Sequence, residues 1–316
     1  MAKDEASCLA FYYAKIGKGN QYASKYLKGE NELKAPCIPI YFSGGEPDRD
    51  TFLASKSSKE QGEDFFNCAD KWSNSYVVVI YGGNVSIWKP VPNCVVEFKN
   101  SEVDNDFEGM VKLMKVKKVM TKSVKDVPPI VAGINANRYY SSGTFREIDD
   151  PGNVLALTIM LVDHGALKAQ HDIGEPTLAR VIECLSSVQF ETLIAKIFEE
   201  HGCFVPAYKG GTVKGIDLTA RNDTAGLISI GGFKIEHGKT VSVQVKLRIN
   251  PYERQRIVSS EQIDLLVWEI YAEGPSLPES KWLEAALSKS PQSRDWLLKS
   301  IDWLPKGCQE LVRSLC

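Results

Sequence analysis

The sequence predicts two domains of mixed α/β structure: a β-rich α+β domain over residues 1–165, and an α/β domain over residues 175–316 in which helices flank a mixed sheet. The chain of 316 residues is 43% hydrophobic, which is enough to bury two cores. Short β-rich runs with glycine turns fill much of the first half, whereas helical and strand patterns alternate in the second. A polar segment between His164 and Pro176 separates them, so we expect the domain boundary there.

The first half opens with short strand and helix signals. The patterns predict a strand over residues 11–16, a helix over 21–28, a strand around Ile38 and Ile40, and a helix over 60–72. The connection after the first strand, Gly17-Lys18-Gly19, lacks the third glycine and the downstream acid of a dinucleotide-binding fingerprint. This turn therefore predicts no nucleotide site.

A β-hairpin follows. Residues 76–81 and 85–89 are β-rich, and the connection between them contains Gly82-Gly83, which is the usual hairpin signal. Residues 95–98 extend the same β-rich region. We therefore expect a compact barrel or a curved sheet.

Two later segments of this half carry candidate nucleic-acid contacts. Lysines stand among apolar residues at positions 112, 115, 117, 118, 122 and 125. The stretch is either a phosphate-contacting edge, with Lys117 and Lys118 as candidate contacts, or an ordinary solvated face. Residues 135–146 then mix arginine, aromatic and hydroxyl side chains, which is the chemistry that contacts phosphates and base edges. Arg138 and Arg146 are the candidates in this segment.

The second half begins with a short helix, predicted over residues 177–185, and continues with a longer amphipathic one. Ser186 and Gln189 fit a capping box at the start of the longer helix, and Gly202 fits its end. Its apolar stripe consists of Phe190, Leu193, Ile194, Ile197 and Phe198. Glu191 lies in the early turns, next to this stripe.

A strictly alternating run over residues 241–248 predicts a strand. Its apolar positions are Val241, Val243, Val245 and Leu247. Side chains two residues apart on a strand share a face, so Gln244 and Lys246 point the same way, opposite the valines. Residues 216–220 also alternate, and Asp217 would start a strand that pairs with this one. These three polar residues, together with Glu191, would meet at one end of a small sheet.

The remainder of the chain is predicted to form a polar segment, a buried strand and a helical tail. Residues 249–261 are polar, and Arg248 and Arg254 lie where a substrate backbone would pass. The almost wholly apolar run 262–271 predicts a central strand that is buried on both faces. The tail contains Trp282, Trp296 and Trp303, which we expect to pack internally or at a dimer surface.

The polar residues at the sheet end suit metal-assisted phosphodiester hydrolysis. This reaction needs a source of hydroxide and a positive charge opposite the transition state, and Mg²⁺ supplies both when one or two carboxylates and a neutral oxygen hold it. Asp217 would be the central ligand, the Gln244 carbonyl a second ligand, and Glu191 a ligand directly or through water. Lys246 would orient the attacking water and stabilise the developing negative charge.

The same residues give the second domain its resemblance to a known group of proteins. The pair Phe190-Glu191, the turn Gly215-Ile216-Asp217 and the strand Gln244-Val245-Lys246 resemble, in this order, the motifs of the Mrr-like restriction endonuclease branch of the PD-(D/E)XK nuclease superfamily. The resemblance covers about residues 180–270. The commoner superfamily form has an acid where Gln244 stands, but glutamine is the usual residue in the Mrr-like branch.

This resemblance implies a restriction-endonuclease-like fold. It also implies Mg²⁺-dependent cleavage of double-stranded DNA at or near a specific site, which is either methylated or unmodified. The catalytic residues that it implies are Glu191, Asp217, Gln244 and Lys246. Cleavage of both strands with one centre per chain implies a homodimer. The chain has no Gly-x-x-x-x-Gly-Lys-Ser/Thr motif, so cleavage would not require ATP. Two alternatives stay open: a non-catalytic DNA-binding module, and a DNA-repair or RNA nuclease on the same fold.

The first domain is similar to the PUA-like reader modules, such as EVE and YTH domains, that are fused to modification-dependent restriction enzymes. Trp72 and Trp88 would suit the walls of a pocket for a flipped base. Isolated aromatic residues are more often part of the core, and we favour that role for both.

The composition of the chain bears on three further properties: nucleic-acid binding, zinc binding and membrane association. The net charge of −2 does not indicate nucleic-acid binding, so any basic surface must be local. The eight cysteines form no Cys-x-x-Cys pair, which predicts no zinc site and is typical of the reduced thiols of a cytoplasmic protein. No apolar run is long enough to cross a bilayer, so we expect no membrane partner.

Overall fold

The computed structural model describes residues 9–41, 48–54, 59–100, 110–136, 143–167, 175–206, 215–260 and 262–315. The chain divides into two compact units, Met1–His171 and Asp172–Cys316. Each unit combines helices with a sheet that contains parallel and antiparallel pairs. The mixed α/β class that the sequence predicts is therefore observed.

The first unit contains a seven-stranded sheet among its described residues. Its strands are β1 (Ala10–Ala14), β2 (Cys37–Ile40), β3 (Ser75–Tyr81), β4 (Asn84–Pro90), β5 (Glu97–Asn100), β6 (Met110–Ser123) and β7 (Phe145–Glu147). Its helices are α1 (Ala23–Lys28), α2 (Arg49–Ala54), α3 (Lys59–Asp70), α4 (Pro129–Ala132) and α5 (Pro151–Asp163). The predicted hairpin is present as β3 and β4, and its turn contains Gly82 and Gly83, both with positive φ.

Strand β6 organises this sheet. The strand order is β2-β6-β4-β3-β1-β7, and β5 also pairs with β6. The first part of β6 pairs with β2 and β5, and its second part pairs with β4. One face of the sheet packs on an aromatic-rich core that includes Tyr12, Tyr26, Phe52, Phe65 and Trp88. Trp88 is 4% exposed and its Nε1 donates to Ser86 Oγ, so the core role favoured for this tryptophan is confirmed.

The second unit is built on a six-stranded sheet with the order β15-β14-β13-β12-β9-β8. The strands are β8 (Cys203–Phe204), β9 (Leu218–Asn222), β12 (Thr240–Lys246), β13 (Leu265–Trp268), β14 (Tyr271–Gly274) and β15 (Leu277–Ser280), and β10 (Ile228–Ile230) pairs separately with β11 (Phe233–Ile235). The helices are α6 (Leu178–Glu183), α7 (Ser187–Glu200), α8 (Pro251–Val258), α9 (Trp282–Ser288), α10 (Pro291–Ser300) and α11 (Lys306–Arg313). β12 and β13 are parallel, whereas the other neighbours in the sheet are antiparallel.

Helix α8 lies within the polar segment 249–261, for which the sequence analysis predicts no helix. Parallel neighbours need a crossover connection, and α8 lies in the connection from β12 to β13. Asn250 Oδ1 accepts the Glu253 N–H at 2.8 Å, and Pro251 occupies the first turn. On the inner side of the helix, Ile257 packs in one cluster with Leu266 and Trp268.

The C-terminal elements largely follow the prediction. β13 is buried along its whole length, but it covers only Leu265–Trp268 of the predicted strand 262–271. Residues 262–264 precede the strand, 269–270 form a turn, and Tyr271 begins β14. Trp282 is fully buried and its Nε1 donates to the Ile230 carbonyl at 2.8 Å, which confirms its packing role. Across the described ranges, no helix combines the length and the apolar character that a bilayer crossing requires.

Candidate metal centre

Helix α7 positions Glu191. Its capping box is present as predicted, because Ser186 Oγ accepts the Gln189 N–H at 3.2 Å and Gln189 Oε1 accepts the Ser186 N–H at 3.0 Å. The whole predicted apolar stripe is buried. Burial of the stripe fixes the rotation of the helix, so Glu191 lies at the border of the buried face and is half-buried.

Asp217 stands one residue before β9 and is tied to β12 by two hydrogen bonds. Its N–H donates to the Val243 carbonyl at 3.0 Å, and its Oδ2 accepts the Val245 N–H at 2.7 Å. The preceding Gly215 has a φ of 97°, a backbone conformation that suits glycine. The carboxylate is therefore held beside the central strand, with 15% of the side chain exposed.

Gln244 and Lys246 lie on the same face of β12, as the alternation predicts. Leu266 and Trp268 are their partners on β13. Gln244 is 7% exposed, and among the described residues no hydrogen bond engages its amide group. The Lys246 side chain is 31% exposed, and its Nζ lies 4.0 Å from Asp217 Oδ2. This separation allows attraction between the charges without a hydrogen bond.

The charged side chains of this cluster act on one another. Burial and then the Asp217 charge raise the pKa of Glu191, whereas the Lys246 ammonium group lowers it. Glu191 and Asp217 are thus close enough to repel when both are ionised. A cation held between them would relieve this repulsion.

The donor set fits Mg²⁺. The described residues contain no group of three or more His, Cys, Asp or Glu side chains placed to hold a metal ion. Mg²⁺ does not require such a group, because it keeps several waters and binds proteins through one or two carboxylates and other oxygens. Asp217, Glu191 and the Gln244 carbonyl are all hard oxygen donors of this kind.

Three of the arginines that the sequence suggested as DNA contacts already have partners within their own units. Arg254 binds Glu273 and Glu279 and lies 4.7 Å from the centre of the Trp268 ring. Arg146, on β7, lies 2.6 Å from Glu60 Oε2, with 15% of its side chain exposed. Arg248 Nε lies 3.8 Å from Glu183 Oε1 and keeps 43% of its side chain exposed. Of these three side chains, that of Arg248 is the most exposed, whereas Arg138 lies outside the described residues.

Five of the six lysines of the basic stretch lie on strand β6, whereas Lys125 lies in the short 3-10 helix Val124–Asp126 that follows, and three of the six are engaged. Lys112 is fully buried against the Phe52 ring, which is inconsistent with a phosphate contact. Lys115 pairs with Glu97 at 2.8 Å, and Lys122 pairs with Asp163 at 3.1 Å. Lys117 and Lys118 are exposed and, within the described ranges, have no ion-pair partner.

Two acidic residues beside the centre were not singled out from the sequence. Glu183, at the end of α6, pairs with Arg248, and Glu269 follows β13 directly. The Glu269 N–H donates to the Lys246 carbonyl at 3.3 Å. The sequence signal for Glu269 is its charge inside the apolar run 262–271, which is predicted as one strand.

No protein-family model, curated protein or solved structure matches the chain. The function of the centre is therefore inferred from its own geometry and chemistry.

Proposed function

We propose that the protein is a Mg²⁺-dependent, ATP-independent restriction endonuclease that hydrolyses phosphodiester bonds of double-stranded DNA. Its second unit would be a PD-(D/E)XK domain of the Mrr-like type. The observation that carries the proposal is the convergence of Glu191, Asp217 and Lys246, whose charges interact at one end of the sheet. The order of helix, turn and strand along the chain agrees with the resemblance, and the Gln244 amide lies on the same strand face as Lys246.

Each residue has a defined part in the proposed reaction. Asp217, Glu191 and the Gln244 carbonyl would hold Mg²⁺, which would supply Lewis-acid charge and a source of hydroxide at neutral pH. The backbone N–H of Val245 fixes the Asp217 carboxylate through Oδ2. Lys246 holds its ammonium group beside this carboxylate, where it orients the attacking water and stabilises negative charge on the phosphate.

The first unit is proposed to recognise DNA. In one version it is a PUA-like module that senses a methylated base, and in the other it reads an unmodified sequence. Since each chain offers one candidate centre among its described residues, cleavage of both strands requires two chains, and we propose a homodimer on DNA.

A product assay separates this proposal from its alternatives. We expect Mg²⁺ and the protein to convert supercoiled plasmid into linear fragments and to leave RNA intact. Nicked circles without linear product would favour a repair nuclease, and RNA degradation would favour an RNA nuclease. DNA binding without any cleavage would favour the non-catalytic module and contradict the proposal.

Mg²⁺ should stabilise the second unit against thermal unfolding. A ligand at ten times its Kd stabilises the native state by about 1.4 kcal/mol, which corresponds to a rise in Tm of roughly 3–6 °C for a domain of this size. Calorimetry with and without Mg²⁺ measures the shift. Asp217→Asn should abolish it.

Asp223→Asn provides a matched control for this shift, because Asp223 is an exposed aspartate that follows β9 and pairs with Arg221. This variant should respond to Mg²⁺ as the wild type does. Equal shifts in the wild type and in Asp217→Asn would show that the cation binds elsewhere.

Lys117 and Lys118 are expected to contact the DNA backbone. Lys117 lies directly opposite Lys89 in the pairing of β4 with β6, so like charges face each other there. Each phosphate contact adds about 0.9 to the slope of log K against log salt. The double variant Lys117→Ala/Lys118→Ala should therefore lower this slope by about 2 when DNA binding is measured in an Asp217→Asn background.

Lys115→Ala is the matched control for this measurement. Lys115 lies on the same strand, but its ammonium group is paired with Glu97. Its removal should leave the salt slope unchanged. If Lys115→Ala lowers the slope as much as the double variant does, the assignment to Lys117 and Lys118 is incorrect.

A further inference from the structure

Glu269 adopts a backbone conformation that is unusual for its residue type. Its φ is 48°, in the left-handed region, where the described non-glycine residues are Asn20, Lys34, Asn93 and Glu269. Asparagine tolerates this region, whereas a glutamate is strained in it. Glu269 occupies the short connection between β13 and β14, a position where glycine, asparagine or aspartate is the usual choice. Strained residues of this kind cluster at functional sites, so Glu269 is a candidate for a role beyond the turn itself.

The surroundings of Glu269 connect it to the candidate centre. Its N–H donates to the carbonyl of Lys246. Burial and then the Glu183 charge raise the pKa of Glu269, whereas the Arg248 guanidinium lowers it. Arg248 stands two residues after Lys246, and its Nε lies 3.8 Å from Glu183 Oε1. The Arg248 guanidinium therefore lies within ion-pair distance of Glu183, and its charge also acts on Glu269.

We propose that Glu269 and Glu183 are positioning residues that hold the Arg248 guanidinium beside the centre, where it binds a backbone phosphate flanking the scissile bond. The proposal rests on the nuclease function proposed above. Arginine has five N–H donors in a fixed plane, so a guanidinium that is anchored by carboxylates on one side can still present donors to a phosphate. The Arg248 side chain is 43% exposed, which leaves it accessible to a ligand.

The test uses Glu269→Gly, Glu269→Gln and Arg248→Gln in the full-length protein. Glycine relieves the strained backbone, so Glu269→Gly should raise Tm by roughly 2–4 °C while lowering kcat/KM for DNA about tenfold or more. Most of this loss should appear in KM, since a flanking phosphate contact is made in both the ground state and the transition state. Lys34→Gly is the matched control, because Lys34 is also strained, with a φ of 50°, but is exposed in the first unit. It should gain stability without losing activity.

A double-mutant cycle separates positioning from general structural damage. If Glu269 acts through Arg248, Glu269→Gln should lower kcat/KM in the wild type but have little further effect in Arg248→Gln. Multiplicative losses in the double variant, or a Glu269→Gly variant that cleaves DNA as well as the wild type, would overturn the inference while leaving the nuclease proposal intact. Absence of cleavage by the wild-type protein would overturn both.

Discussion

Asp217→Asn is expected to lower the rate of DNA cleavage by about a thousandfold or more. Loss of the central ligand removes Lewis-acid stabilisation worth several kcal/mol, and each 1.4 kcal/mol or so is a factor of ten in rate. The fold should persist, because asparagine has nearly the same shape and its Oδ1 can accept the Val245 N–H that Asp217 Oδ2 accepts now. Single-turnover cleavage and thermal unfolding, measured on the same samples, test both statements.

Asp223→Asn makes the same chemical change at an exposed position on the far end of β9, so it should cleave DNA as the wild type does. If Asp217→Asn cleaves DNA at a rate within tenfold of the wild type, Asp217 is not the central ligand. A large loss of Tm in Asp217→Asn would instead point to a structural role for the carboxylate.

Lys246→Met should reduce the rate by roughly 100- to 1000-fold, the range observed when one group that stabilises transition-state charge is removed. Methionine keeps most of the aliphatic length of lysine, so packing next to Trp268 should change little. Because Lys246 is not a proposed ligand, Mg²⁺ should still raise the Tm of this variant. The combination of lost cleavage and retained metal binding is the specific expectation.

Lys239→Met is the control for this variant, since Lys239 is exposed and directly precedes the same strand. Cleavage by Lys239→Met should match that of the wild type. A Lys246→Met variant that keeps full activity would remove the lysine from the proposed mechanism.

The sequence predicted the elements of the centre because their local signals are strong. Strict alternation in β12 determined the common face of Gln244 and Lys246, and a reciprocal capping box determined the start of α7. The place of Asp217 directly before β9 followed from alternation in the adjacent run. Each of these signals lies within a few residues of the element that it predicts.

The surface contacts were poorly predicted because they depend on residues distant in sequence. Arg254 is bound by carboxylates on β14 and β15, and no local pattern indicates that pairing. Arg146 is paired with Glu60 on α3. Lys112 looked like part of an exposed basic face, but it is enclosed beside Phe52. Helix α8 was missed for a different reason, because its sequence is polar and its Asn-Pro start was interpreted as part of a polar segment.

Digestion of methylated and unmethylated DNA by the wild-type protein, with Mg²⁺ or with EDTA, tests the central claim most directly. We expect discrete double-stranded fragments in Mg²⁺ and none in EDTA, and the preferred DNA will show whether the first unit senses methylation. DNA that is bound but left intact at stoichiometric protein concentration in Mg²⁺, whatever its methylation, would contradict the assignment of Glu191, Asp217, Gln244 and Lys246 to a nuclease centre.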